Sequence, residues 1–403
     1  MKRKILEILF TCFFIVTFGV VSMSYAAEEL RIGVSSSLSG PAVGWGQPCW
    51  RTIDTQAEMY NKAGGVKIGG KNYIIKIVTV DDKYLAESGA QAFTKLIYQE
   101  KVDYILMGGP STLVALAGGP LCQKNEVVCL LDGTSGPGLQ DNWEWVFRPC
   151  LTDFSRGTAI VLWLAKNKKE IKTVAYACPD TEGGHASNDI FQENIKKHTD
   201  WKVVEGGFYQ AASKEYYPLL SKILRHKPDL IYTDTATTGD LGLLIKQARE
   251  LGYNGAFLQA AVVDAKALAG ISGTEACDNI YNPGVPFDVN PQVKALVEAY
   301  EAKYGERNGL TLWSLDYLPV LIQAMQVAGT TDKYKVRDVL ESATKPGILN
   351  SMIGPGARFY TEKYLNKKYS RQWLSPVGIT RIDKGKSTLI EIIAPDEMLK
   401  VLK

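Results

Sequence analysis

Strand-length apolar runs alternate with helix-length amphipathic segments along almost the whole of this 403-residue chain, and few architectures accept that alternation. LRIGVSSS reads as a strand and Trp50 to Asn61 as a helix that stops at Gly64-Gly65. YIIKIVTVDD is a second strand and Glu87 to Gln99 a second helix. YILMGG leads into a helix from Thr112 to Gln123, and VVCLLDG is a fourth strand. Strands separated by crossover helices pair in parallel and are covered on both faces.

A second series of the same kind begins near Phe154. TVAYACPD, a helix from Ala186 to Lys197, KVVEGGFY, a helix from Tyr216 to Arg225, DLIYTD, a helix from Asp240 to Leu251 and AFLQAA repeat the unit. The join is FRPCLTD, where Pro149 breaks the periodicity. After NPGVPFDVNP the pattern turns helical, from Gln292 to Tyr304, Leu312 to Ala328 and Lys335 to Thr344. A stretch containing Gly and Pro follows, and two strand-like runs, PVGITRI and STLIEII, finish the chain. The expected fold class is α/β, with two Rossmann-like lobes of parallel sheet flanked by helices, and the length suits two domains.

The amino terminus reads MKRKILEILFTCFFIVTFGVVSMSYAAEE: three basic residues, an apolar run from Ile5 to Val21, then small residues. Ser24 and Ala26 occupy the −3 and −1 positions of a signal-peptidase site, so cleavage after Ala26 or Ala27 sends the mature chain out of the cytoplasm. A retained anchor is the alternative, since the run is near the minimum length for a bilayer. Glu7 and the small-residue exit favour cleavage. A lipid-modified thiol is disfavoured because Cys12 lies inside the apolar run. Removing Lys2, Arg3, Lys4 and Glu7 from 46 basic and 43 acidic residues leaves a net charge of +1, without a basic field for nucleic acid.

Six cysteines then remain, at 49, 122, 129, 150, 178 and 277. Export permits disulfides, and Cys122 with Cys129 is the nearest local pair; buried free thiols are the other reading. The absence of C-x-x-C argues against zinc and thioredoxin chemistry.

Catalytic signals are weak. His198 and His226 lie in polar runs that read as solvated surface. His185 follows a strand-to-helix turn, but nothing around it forms a triad motif. Gly65, Gly70 and Lys71 match the spacing of a phosphate loop, yet Asn72 replaces the magnesium-binding hydroxyl and the segment runs from helix to strand, so it reads as a turn. Gly133-Thr134-Ser135-Gly136 resembles a nucleophile elbow, but Pro137 replaces its last Gly. Catalysis therefore has little support: the chain reads as no enzyme, and no metal or cofactor motif is present.

In parallel sheets ligands gather at the carboxyl ends of strands, where helix N-termini offer free N–H groups. The loops of interest are therefore SLSGPAVGWGQ, GGPSTL, DGTSGPG, PDTEGGH, TDTATTGD and LQAAVVD, three from each series. Ser111 and Thr112 at one strand end and Thr134 and Ser135 at the next form a candidate carboxylate seat, with helix capping as the plain alternative for each. Trp45, in a Gly-rich loop, is a candidate wall for the ligand's body.

The loops and leader together resemble the periplasmic solute-binding proteins of ABC importers, in the type I, leucine/isoleucine/valine-binding branch. The resemblance rests on IGVSSSLSGPAVGWGQ, FRPCLTD, DLIYTDTATTGDLGLLIKQARELG and SLDYLPVLIQAMQVAG, in that order and spacing, and covers essentially the whole mature chain. It implies two α/β lobes joined by three crossings that close like a hinged trap on one ligand. The implied lobes are residues 27–148 with 284–357, and 149–283 with 358–403, after a signal peptide at 1–26. The resemblance places Trp45 against the ligand side chain, and Gly109 to Thr112 and Gly133 to Ser135 around its carboxylate and ammonium. In the second lobe Gly183 stands where the family often has Tyr, and Thr237 where another Tyr often occurs. The family's acid for the amino group belongs near Gln259 to Ala261, where this chain has none; Glu182 or Asp264 is the substitute. An aromatic acid therefore joins the amino acids as a candidate ligand. The implied partners are a small-molecule ligand and an ABC permease in the inner membrane, with the chain itself a monomer. A sensory module of the same fold and a secreted hydrolase using Ser135 or His185 are the competing readings.

Overall fold

A computed structural model describes residues 27–402, apart from 41, 135–137, 235, 285–288, 306, 308–310 and 365–366. Residues 1–26, read from the sequence as a signal peptide, lie outside the described residues. So does Ser135.

The first series folds as β1 (Glu28–Ser36), α1 (Val43–Lys62), β2 (Val66–Ile68), β3 (Lys71–Asp81), α2 (Ala86–Thr94) with a π turn at Lys95–Gln99, β4 (Tyr104–Met107), α3 (Thr112–Asn125), β5 (Val128–Leu130) and β6 (Val146–Phe147). Its sheet has the order β2-β3-β1-β4-β5-β6, parallel except for β2. Side chains alternate across the strands. Leu30, Ile32, Val34, Tyr104 and Leu106 face one core, while Ile105 and Met107 face another with Phe93 and Val114. Such two-sided burial explains why these strands read as nearly unbroken apolar runs.

The second series folds as α4 (Asp153–Asn167), β7 (Thr173–Pro179), α5 (Glu182–His198), β8 (Lys202–Tyr209), α6 (Tyr217–Leu224), β9 (Leu230–Thr233), α7 (Thr238–Glu250), β10 (Ala256–Gln259), α8 (Ala265–Ser272) and β11 (Ile280–Pro283). The chain then returns through α9 (Pro291–Tyr304), α10 (Tyr317–Ala328) and α11 (Lys333–Ser342), and Tyr317, Leu321 and Val336 complete the first sheet's core. A hairpin, β12 (Arg358–Tyr364) and β13 (Lys367–Leu374), leads to β14 (Val377–Asp383), β15 (Lys386–Ile393) and the short α12 (Pro395–Met398). The second sheet has the order β15-β14-β11-β10-β9-β7-β8, parallel except for β14, which runs against both of its neighbours. Two Rossmann-like halves are thus joined by three crossings: after β6, after β11, and through the hairpin into β14.

The hairpin belongs to both halves. Phe359 and Trp373 enter the first half's core, whereas Tyr369 and Leu374 enter the second's. Its sequence, RFYTEKY and KKYSRQWL, hides it, because its few apolar and aromatic side chains are scattered among charged and hydroxyl residues.

Several expectations are corrected. The first helix starts at Val43 rather than Trp50, so Trp45 sits in its first turn and not in a loop. Gly46 makes the early start feasible: a Cβ there would lie 2.2 Å from the Ser37 carbonyl oxygen, so only Gly lets the helix approach β1 this closely. Helix α5 starts at Glu182 rather than Ala186, which draws Glu182 and Gly183 out of the expected loop into its first turn. Thr181 allows this by accepting the Gly184 N–H as its cap. Residues 311–316 form turns instead of the start of a helix. Of the two readings left open for the cysteines, the structure has buried free thiols: Cys122, Cys129 and the other four described cysteines are all free and buried. The segment read as a turn rather than a phosphate loop is one: Gly69 and Gly70, with φ of 56° and 83°, form the two-residue turn of the β2–β3 hairpin.

Candidate functional site

The carboxyl ends of both sheets converge where the chain crosses between halves. On the first half, Asp82 orders the loop after β1 by accepting from Ser35 Oγ at 2.9 Å and Ser37 Oγ at 2.6 Å. Tyr84 follows with φ of 62°, a left-handed conformation that is costly for an aromatic residue, and its ring meets Trp45 edge-on at 5.8 Å. Both rings are half-buried.

Asp132 stands two residues beyond the end of β5 and is fully buried. Its two carboxylate oxygens accept from Trp313 Nε1 at 3.0 and 2.9 Å. Burial pushes this carboxyl up to about 7, opposed by the Trp313 hydrogen bond and, more weakly, by the Arg148 charge. Trp313 comes from the turn before α10, far along the chain, and is held there by Asp132.

Asp132 thus holds the edge of the Trp313 ring, and one face of that ring carries the Arg156 guanidinium, 5.4 Å from the ring centroid. Arg156 stands in the first turns of α4, a helix fixed by a capping box between Thr152 and Ser155. Its Nη2 donates to Asp153 Oδ1 at 2.5 Å and lies 3.8 Å from Asp234 Oδ1, at the end of β9. Asp234 in turn accepts from Ser187 Oγ at 2.7 Å. A continuous polar line therefore runs from one half to the other: Asp132, Trp313, Arg156, then Asp153 and Asp234.

The first crossing is pinned by Arg148, which is fully buried. Its Nη1 donates to the Gly133 carbonyl at 2.7 Å, its Nε to Gln372 in β13, and its Nη2 lies 3.8 Å from Glu362 in β12. Glu362 accepts from Thr152 Oγ1 at 2.7 Å, and burial raises its pKa.

A cavity of about 90 Å³ opens beside this line. Its walls come from the first half (Leu312, Trp313), the second half (Arg156, Val262) and the crossings (Cys150, Pro376). A larger depression of about 660 Å³, around Lys168, Asp229 and Tyr253, lies at the opposite, amino-terminal edge of the second sheet. Ligands of parallel sheets bind at carboxyl ends, so the smaller, two-sided cavity is the candidate.

Among the described residues, none of those predicted for the site lines this cavity. Ser111 is buried, and its Oγ caps α3 by accepting the Val114 N–H at 3.2 Å, while its own N–H donates to the Asp132 carbonyl at 2.7 Å. Thr112 and Thr134 are half-buried. Gly109 packs against Gly46, where a Cβ would lie 2.9 Å from the Gly46 Cα. Gly133 joins the site through Arg148. Glu182 is exposed and Gly183 half-buried in the first turn of α5. Thr237 caps α7 through the Asp240 N–H at 3.1 Å. Gln259 is fully buried, with Oε1 accepting from Thr233 Oγ1 at 2.6 Å and Nε2 unpartnered among the described residues. Asp264 caps α8 at the surface. His185 is exposed, 2.8 Å from Asp180 and stacked on Phe208.

Asp132, Arg156 and Trp313 were not singled out in the sequence. A carboxylate closing the apolar run VVCLLD was the signal available for the first. For the other two, local sequence carries none.

The periplasmic binding protein family model matches residues 29–374. A Leu/Ile/Val-binding protein homologue of Brucella melitensis is 26% identical over 336 residues, covering 81% of this chain and 86% of that protein. The crystal structure of a leucine-binding protein, LivK, from Thermotoga maritima superposes with a TM-score of 0.72 at 22% identity, over 91% of this chain and 99% of that one. A solute-binding protein of an ABC transporter from R. palustris, solved in complex with benzoate, gives 0.67 at 20% identity, over 92% and 97%. The arrangement of two halves, three crossings and a cleft at the strand ends, together with a family match over most of the chain, shows that this protein belongs to the periplasmic binding protein family, among the type I members that include the Leu/Ile/Val-binding proteins.

Proposed function

We propose that this chain is the extracytoplasmic solute-capturing component of an ABC importer, exported by its leader and cleaved after residue 26 or 27. It closes two halves on a small amino acid or related carboxylate and hands it intact to a permease. The halves are residues 27–148 with 284–357, and 149–283 with 358–403. The observation that carries this reading is the cavity walled by both halves at the crossings. A solute touching both walls favours the closed arrangement by its differential affinity for it, which is all that capture by closure requires. The names of the relatives support the ligand class: leucine, isoleucine and valine binders on one side and a benzoate complex on the other.

The test combines thermal-shift screening of amino acids, aromatic acids and amides with small-angle scattering. A ligand raises the melting temperature by mass action and reduces the radius of gyration. Scattering curves that coincide with and without a saturating hit would refute closure.

A further inference from the structure

We infer that Arg156 is the seat of the solute's acyl oxygen, and that the Trp313 indole is the plate against which the solute's body lies. This rests on the solute-capture reading and assigns its polar contact to a second-half guanidinium rather than to the first-half hydroxyls. Arg156 lines the cavity, yet it is only 4% exposed. Its Nη2 is committed to Asp153, while its Nε–H has no acceptor among the described residues. A buried donor left unmatched is costly, and a guanidinium presents its N–H groups in a planar fork that fits an acyl oxygen or a carboxylate. An oxygen arriving in the cavity supplies the missing acceptor.

Geometry holds the donor in place. Trp313 covers one face of the guanidinium at 5.4 Å and is itself clamped by both oxygens of Asp132, so neither group is free to swing toward water. Beside them the wall is apolar, from Leu312, Val262 and Pro376, which suits a hydrocarbon body. On the other half, the Ser111 oxygen is already engaged as a helix cap. Charge narrows the chemistry further. Asp153 pairs with Arg156 and Asp234 lies 3.8 Å away, so the guanidinium's charge is answered within the protein and its Nε acts as a hydrogen-bond donor more than as an ion attractor. The shared requirement is a planar acyl oxygen, whether ionised or in an amide.

The mature chain is titrated calorimetrically with leucine, benzoate and benzamide, and with a sugar and a diamine as solutes lacking the acyl group. At least one acyl probe is expected to bind. Benzoate without benzamide identifies an ionised head, and the reverse a neutral one. Arg156→Lys keeps the positive charge but loses the Nε donor, and Trp313→Leu loses the plate. Each is expected to weaken the bound probe tenfold or more, with circular dichroism confirming the fold; if the lysine variant does not fold, the leucine variant decides. A dissociation constant within twofold of the parent's in a folded variant overturns the assignment. Silence of all three acyl probes also overturns it, and binding of the sugar or diamine in that case leaves solute capture standing.

Discussion

Asp132 combines complete burial with a carboxyl pushed up to about 7, and that pairing has a measurable consequence. An unfolded aspartate titrates near ~4. Between about pH 4 and 7 the folded chain therefore holds a proton that the unfolded chain has lost, so this group's contribution is present in acid and declines as pH rises through that window. Asp132→Asn removes the titration. Urea unfolding across the window is expected to give a flatter decline than the parent's, by up to about 1.4 kcal/mol per pH unit; parallel curves would assign the raised pKa elsewhere. Trp45, half-buried against Tyr84, carries a separate expectation. It does not line the cavity, so only closure of the halves can bring its ring to the solute; on that expectation Trp45→Ala weakens the bound solute tenfold or more, about 1.4 kcal/mol, and an unchanged dissociation constant removes Trp45 from the site.

Helices and strands were legible where their signals are local. The termini of α3, α7 and α9 fall close to the expected positions, because Ser111, Thr237 and Asn290 are capping residues followed by helical periodicity. Start points failed where a tertiary contact overrides a local breaker, as at Gly44, Gly46 and Pro48 in α1. The hairpin β12–β13 was illegible for a related reason: its two apolar sets enter different cores, so neither shows a single buried face. Asp264 illustrates how a candidate ligand residue resolves into an element's end, since its Oδ1 accepts the Ala267 N–H at 2.7 Å. Asp264→Ala is expected to cost about 1 kcal/mol of stability in urea unfolding and to leave solute affinity unchanged; a loss of affinity would return Asp264 to the site.

Across the whole molecule, the two halves are coupled by the crossings and the polar line beside them. Arg148 is central, because it ties the first sheet's Gly133 to the hairpin's Gln372 and offsets the buried Glu362. Breaking a buried pair from one side leaves its partner uncompensated, typically at about 3–5 kcal/mol. Arg148→Ala is accordingly expected to lower stability by that order, and scanning calorimetry is expected to give one endotherm for the parent and two for the variant as its halves unfold separately. One unshifted endotherm would show that the hairpin cores alone hold the halves together.

The amino-acid sequence by itself determined the alternation of strands and crossover helices, the parallel sheets that follow from it, and the strand ends at which a ligand belongs. These are properties of periodicity, and burial of one face or two is written within a dozen residues. Tertiary structure alone decided which side chains meet at the cleft. Asp132, Arg156 and Trp313 lie on three separate stretches of chain, and only the return of residues 311–328 to the first half brings the indole between the carboxylate and the guanidinium. No local pattern encodes that meeting, because it depends on how the crossings set one half against the other.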